Sequence, residues 1–405
     1  MDYRNYWLDA WDKNELKITV ETTSMCNAKC PQCARSQSFR YFNYDQDEIL
    51  TNNVYDWIPK IHWDLERFEK YFPPKTLQHF KIINFSGDLS DAGMNPHLPE
   101  IIEYIIDMTK KCQVHISTNG SMQSEDWWRK LGKICGNRLR VTFAVDGIDQ
   151  EMHERYRANT KLQKVLNNMK AISETDAVVW SLTILFKHNQ DYLEDIIALT
   201  KKHGATEHDW VESARFWRDK PFLYKDFKTG ELKKLEEVIH NTKNSYGQQV
   251  DIETGRSEKP TFKKRTYNDG KDAFRRIKND YTSLKKLAEG KQKTIRCAFG
   301  ERDHMQLDVL GNLWPCCYWV CRKYIYEWGK GESWWDFKIN KDFDKPVAKY
   351  VLEQPEKFNL DHYTFEEVLK SEWYNDSLVN SWKDGDFSII CAYSCGHSDS
   401  GPQTI

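Results

Sequence analysis

Three cysteines stand close together in E-T-T-S-M-C-N-A-K-C-P-Q-C-A-R, residues 21–35, with thiols at Cys26, Cys30 and Cys33. Thiolates spaced by three and then two residues suit one cuboidal iron–sulfur cluster. A tight loop can hang each on a neighbouring iron, and a fourth iron is left without a protein ligand. An open iron is a place for chemistry. Other uses of cysteine fit the spacing less well: zinc ribbons pair one C-x-x-C with a second, redox motifs need only one, and an odd set of three cannot be consumed by disulfides. A structural metal loop and unconnected core thiols are the competing readings.

The elements around the cysteines must position them. Leu16 to Thr23 (L-K-I-T-V-E-T-T) alternates apolar and polar residues with β-branching and reads as a strand. The cysteines therefore lie just past a strand's C-terminal end, where ligands collect in α/β sheets and barrels. Strand and helix patterns then alternate. Leu65 to Tyr71 reads as a helix ended by Pro73 and Pro74, and Phe80 to Phe85 as a strand feeding the turn S-G-D-L-S-D-A-G (86–93) and the helix of P-H-L-P-E-I-I-E-Y-I-I-D-M. Gln113 to Thr118 ends in Asn119-Gly120 before a helix around Ser124 to Ile134, and Arg140 to Val145 ends in Asp146-Gly147. Val178 to Phe186, a helix from Tyr192 to His203, and Asp209 to Arg215 complete six units. Repeated βα units predict a parallel sheet. The turn at 86–93 exposes backbone groups able to grip a zwitterion such as an amino acid, or else it is an ordinary helix-capping turn. Ser117, Asn119 and Asp146, at the ends of two successive strands, share a rim with the cysteines and suit a ribose and a carboxylate.

Length and composition set the bounds. A chain of 405 residues exceeds what one core usually supports, so a large domain and a smaller one are expected. A formal charge of −2 argues against wholesale polyanion binding and hence against a nucleic-acid partner. No apolar run approaches the roughly 20 residues of a membrane span and no signal-peptide pattern is present, so a cytoplasmic location is expected. In that compartment thiols stay reduced, and 11 cysteines are better explained by metal than by disulfides. Cys112 and Cys135 fall outside the clusters and read as packed thiols.

C-x-x-x-C-x-x-C after a first strand resembles the radical S-adenosylmethionine (SAM) enzymes. The resemblance implies a partial (β/α)6 TIM-like barrel over residues 16–215, behind a cap at 1–15. It also implies a 4Fe–4S cluster on Cys26, Cys30 and Cys33 with SAM at its open iron. The turn at 86–93 is similar to the family's G-G-E-P turn for the methionine amine: Gly87 leads it, Ser90 and Asp91 stand at the second Gly and Glu positions, and Ala92 replaces Pro. V-D-G-I-D-Q-E-M-H-E-R-Y-R (145–157) resembles the family's D-G-x-x-x-x-H-D-x-x-R run, by which Arg157 would pair with the SAM carboxylate; Arg155 and Arg157 as solvated helix residues is the alternative. Two departures concern cofactor contacts: Ala144 replaces a serine, and Gln32 stands where an aromatic residue normally covers the adenine.

A second constellation begins at Cys297. M-Q-L-D-V-L-G-N-L-W-P reads as a hairpin turning at Gly311 and Asn312, which brings Cys297 and Cys316 together at its open end. Cys391 and Cys395 lie far downstream. Four thiolates would close a cluster completely, as an electron relay or structural element; zinc with four cysteine ligands is the alternative. The arrangement resembles the Twitch and SPASM domains of radical SAM enzymes, the Twitch form with one auxiliary 4Fe–4S cluster fitting better, and implies a small α+β domain over 291–405. Cys317 and Cys321 are unassigned: a substitute ligand, a hydrogen-atom donor to a substrate radical, or packed thiols. Residues 216–290 read as a polar, partly basic insertion or linker.

The family implies reductive cleavage of SAM to a 5′-deoxyadenosyl radical, hydrogen abstraction from a substrate C–H bond, and an external electron donor such as flavodoxin or ferredoxin. Its relatives act on peptides, protein side chains, sugars and other small molecules. The barrel starts almost at residue 1, so no leader-peptide recognition domain is expected at that end. The insertion and the Trp-rich segment 328–337 favour a peptide or protein substrate; a sugar or small molecule, and a non-catalytic iron–sulfur electron-transfer or scaffold protein, are the alternatives.

Overall fold

Alternation of burial shows how the strands are used. In Gln113–Thr118 (β4) and Val178–Leu185 (β6) every second residue is buried. Of that buried set, Val114, Ile116 and Val179 join one apolar core with residues of the helices Leu98–Met108 (α3), Glu125–Cys135 (α4), Leu162–Ser173 (α6) and Leu193–Lys202 (α7). The computed structural model describes residues 3–33, 35, 50–51, 59–87, 89–213, 216, 221–239, 293–320, 345–388, 391 and 395–398. Within them β1 (Leu16–Val20), β3 (Phe80–Phe85), β4, β5 (Leu139–Ala144), β6 and β7 (Glu207–Glu212) pair in parallel and in chain order. These are the six strands expected of the partial barrel, and the helices between them supply the crossovers that parallel strands require.

The sheet does not stop at β1. His304–Leu307 (β11) lies parallel to β1 on its other flank, in register from Lys17 with His304 to Val20 with Leu307, and turns back through Leu313–Trp314 (β12). The order is therefore β12-β11-β1-β3-β4-β5-β6-β7. The hairpin expected from the sequence exists, and its first strand continues the barrel sheet. Its turn is organised by Asp308, fully buried, whose carboxylate accepts from Leu310 N, Asn312 N, the Asn312 amide and, at 2.7 Å, the Trp314 indole.

Beyond the hairpin, Pro346–Glu353 (α8), Phe365–Leu369 (α9) and Leu378–Asp384 (α10) cover an aromatic cluster of Trp314, Phe358, Trp373 and Tyr374. The first helix, Tyr6–Asp12 (α1), locks onto it: Trp7 meets Tyr374 edge-on at 5.7 Å, and Trp11 stacks on His79 at 3.8 Å. A seven-residue helix is unstable alone. Burial of these two indoles, worth roughly 2–3 kcal/mol each, holds it in place.

Of the segment 216–290, residues 221–239 form an antiparallel hairpin, Phe222–Lys225 (β8) with Leu232–Leu235 (β9), and β8 pairs in parallel with Leu50–Thr51 (β2). The basic runs at 263–265, 275–276 and 285–286, the Trp-rich segment 328–337 and Cys321 lie outside the described residues. Among the described residues no helix is long and apolar enough to cross a membrane.

Two measurements follow from these buried groups. Asp308→Ala leaves buried donors without an acceptor and is expected to cost about 3 kcal/mol of unfolding free energy in a denaturant titration. His153 and His208 are fully buried, and burial pulls both imidazoles down to about 3. Their folded pKa values lie below the unfolded value, so the stability they contribute is present above about pH 6.5 and is lost as pH falls. Denaturant titrations from pH 7 to 5 are expected to show His208→Gln losing about 1.4 kcal/mol less per pH unit below 6.5 than the wild type.

Candidate active site

The loop after β1 is pinned by the strand ends around it. Asp91 N donates to Met25 O at 2.9 Å, Lys29 N to Ala158 O at 2.8 Å, and the Asn159 amide to Asn27 O at 2.7 Å. Asn119 reaches the Asn27 side chain at 2.9 Å and the Cys26 sulfur at 3.8 Å. Inside this frame the loop turns on itself, with Cys33 N donating to Cys30 O at 3.1 Å. Cys30 is buried, and Cys26 and Cys33 are half-buried.

The thiols lie within electrostatic reach of one another. Burial pushes Cys26 well up, with Asp91, Cys33 and Cys30 adding to it. Burial likewise pushes Cys30 up to about 12, against the pull of the Arg157 guanidinium, which also hydrogen-bonds it. Such a donor set fits a soft cationic centre, which overcomes that resistance by binding the thiolate forms. Among the described residues no three cysteine, histidine or acidic side chains converge tightly enough for a single metal ion, and a cuboidal cluster seats its thiolates further apart than one ion does.

Around the loop stand the residues singled out for the cofactor. Asp91, 4% exposed, accepts from Gly93 N and Thr118 Oγ1 through Oδ1, and from Asn119 N and Nδ2 through Oδ2, all within 3.0 Å. It fastens the end of β4 to the turn after β3. Burial raises its pKa and those hydrogen bonds draw it back. Ser90 donates to Glu21 Oε1 at 3.0 Å. Gly87 is needed for close approach: a Cβ there would overlap Ser90 Oγ and Glu21 Oε1. Gly120, after Asn119, has φ +69°, and a Cβ there would overlap the Phe143 ring. Ser117 is half-buried, on the face of β4 opposite Thr118.

On the far side, Asp146 is fully buried and accepts from Ile184 N at 2.6 Å and Arg157 Nε at 2.5 Å. Burial lifts its carboxyl pKa and Arg157 lowers it. Arg157 thus sits between a carboxylate of the protein and Cys30, and it also stacks on Tyr156 at 5.0 Å. His153, in the helix Gln150–Glu154 (α5), holds this arrangement. Its Nδ1 accepts from Asp146 N at 3.2 Å, so Nε2 carries the proton and donates to Thr160 Oγ1 at 3.0 Å. Gln32, buried, accepts from Ser213 Oγ at 2.7 Å and ties the loop to the chain just past β7.

An apolar wall closes the site. Tyr156, Phe186, Phe216, Tyr224 and Leu235 pack with Ala28 and the three thiols. Tyr224 and Leu235 come from the β8–β9 hairpin, so part of the segment first read as a linker covers the cysteine loop.

The downstream cysteines form a second set. Lys293–Ile295 (β10) pairs with Gly396–Ser398 (β13), and Arg296 N donates to Cys395 O at 3.1 Å. Cys297 and Cys395 are hydrogen-bonded through their thiols, an interaction that with burial raises the Cys297 pKa. Cys316 lies within electrostatic reach of Cys297, Cys391 and Cys395. Backbone N–H groups point at these sulfurs, Gly300 N to Cys297 at 3.3 Å and Tyr318 and Trp319 to Cys316. Cys317 is half-buried beside the set.

Sequence reasoning passed over Glu21, Arg35 and the apolar wall. The available signal was position alone: Glu21 immediately follows β1, and Arg35 follows the last cysteine by two residues.

No curated protein sequence matches the chain. Among solved structures it is similar to anSMEcpe with bound AdoMet, at TM-score 0.46 and 13% identity over 94% of this chain and 89% of that one. It is similar to SuiB of Streptococcus suis at TM-score 0.42 and 9% identity, over 86% and 71%. For BtrN in complex with AdoMet and 2-DOIA the values are 0.41 and 12%, over 95% and 94%. The model of the Radical SAM superfamily matches residues 20–200, from the end of β1 into α7. That stretch, somewhat less than half of the chain, holds the loop with its three thiols and the strand ends that pin it, and it is similar to the radical SAM superfamily, whose members work with a 4Fe–4S cluster and SAM.

Proposed function

We propose that the protein abstracts a hydrogen atom from a peptide or protein side chain, and that an auxiliary cluster on Cys297, Cys316, Cys391 and Cys395 takes up the electron released. The observation that carries this reading is the presence of two separate thiol sets. Three thiols at the end of β1 leave an iron for SAM, whereas four joined by β10–β13 and the β11–β12 hairpin leave none. When bound, the first cluster and SAM supply a 5′-deoxyadenosyl radical.

The chain's own residues do the rest. Cys26, Cys30 and Cys33 hold the first cluster. Asp91 and Ser90 would receive the methionine amine, Asn119 and Ser117 the ribose, and Arg157 the carboxylate. Asp146 and His153 keep Arg157 in place. The wall of Tyr156, Phe186, Phe216 and Tyr224 excludes water, which a radical intermediate requires. Gln32 anchors the loop from the adenine position without an aromatic face. The peptide assignment is supported by β9, the outer strand of its sheet among the described residues, which offers backbone groups to an extended chain close to the thiol set. A reduced flavodoxin or ferredoxin would supply the electron.

After anaerobic reconstitution, the wild type is expected to bind about eight irons per chain and to release 5′-deoxyadenosine from SAM with dithionite. Cys30→Ala is expected to abolish that release. Cys316→Ala is expected to retain it while iron falls to about four per chain and peptide product disappears. Full SAM cleavage by Cys30→Ala removes the assignment of the first site; unchanged iron in Cys316→Ala removes the second.

A further inference from the structure

A buried charge that the proposed mechanism does not use lies against the cysteine loop. Arg35 is 4% exposed, and its Nη1 donates to the carbonyls of Ser24 and, at 2.6 Å, Leu89. Glu21, at the other end of the loop and 1% exposed, accepts the Leu89 N–H and the Ser90 hydroxyl through Oε1, both at 3.0 Å. The two side chains thus grip one residue from opposite ends, Glu21 by its N–H and Arg35 by its C=O. Leu89 lies two residues before Asp91 in the turn that packs on Met25.

Charge placement adds a second role. Arg35 stands within electrostatic reach of Glu21, Cys26 and Cys33. A buried guanidinium is costly unless paired and fully hydrogen-bonded. Yet Arg35 Nε is buried with no hydrogen-bond partner among the described residues. Among the described residues it is a donor kept within reach of the thiols with no acceptor of its own, and an iron–sulfur cluster on Cys26, Cys30 and Cys33 would offer it acceptor sulfurs.

We propose that Arg35 and Glu21 are an opposed pair of positioning residues. They clamp the Asp91 turn onto the cysteine loop, and they set how readily the cluster held by Cys26, Cys30 and Cys33 takes an electron, with Arg35 Nε donating to a cluster sulfur. The inference rests on the reading of those cysteines as cluster ligands. Reduction adds negative charge, so the fixed cation raises the cluster's potential and the carboxylate lowers it.

The test is a redox titration of the reconstituted full-length protein, followed by the electron paramagnetic resonance signal that SAM perturbs. Arg35→Gln is expected to move the midpoint potential to more negative values, and Glu21→Gln to less negative ones, with iron content unchanged. Both are expected to need several-fold more SAM to perturb the signal. Arg35→Lys, keeping the charge but not the clamp, is expected to hold the potential while still weakening SAM binding. A wild type without any SAM-perturbed signal removes the reading beneath the proposal. Should the wild type show that signal while the two neutral variants leave the potential unmoved or shift it the same way, the pair has no such role. Loss of the cluster from all three variants also overturns it, since that marks purely structural residues.

Discussion

Backbone hydrogen bonds from β3 on one side and β11 on the other hold β1, and the cysteine loop inherits its position from that double pairing. The ladder runs one residue past the strand, where Glu21 N donates to Leu307 O at 2.9 Å. The chain is therefore held up to the last residue before the site begins. Beyond it, the loop has little regular structure of its own and takes its shape from side chains and backbone groups at neighbouring strand ends. A strand at the sheet's edge would have had such support on one flank only.

The site is built from charges placed in the interior and then satisfied. Asp91 receives donors from the end of β4, Asp146 is held by Arg157 and Ile184, and Asp308 collects the turn of the hairpin. Asp91 and Asp146 each join segments about 30 to 40 residues apart at one point, while Asp308 gathers a single turn, all with the directional precision that apolar packing lacks. The apolar wall of Tyr156, Phe186, Phe216 and Tyr224 lowers the local dielectric beside Arg157 and Asp146, which strengthens their ion pair.

Much of this was legible in the chain. The six barrel strands lie within about two residues of their predicted starts, because a half-buried strand must alternate and the alternation is local. Cysteine spacing is equally local, as is the hairpin around Gly311. What could not be read was long-range. Nothing in H-M-Q-L says that it will pair with L-K-I-T-V, since parallel pairing leaves no turn between partners. Arg35 and Glu21 were missed because a charged residue ordinarily reads as solvent-facing. Gln32 was assessed only for the aromatic face it lacks, and its bond to Ser213 depends on a strand end 181 residues away.

The splice between β11 and β1 also makes the chain hard to divide. Residues after 290 read as a separate appendage, yet without them β1 would present a bare row of amides and carbonyls along a hydrophobic ribbon, the kind of edge through which sheets join end over end into aggregates. A barrel cut away at that point exchanges an intramolecular neighbour for an intermolecular one. The strand at 304–307 thus closes the edge of a sheet whose six barrel strands lie more than 90 residues earlier in the chain.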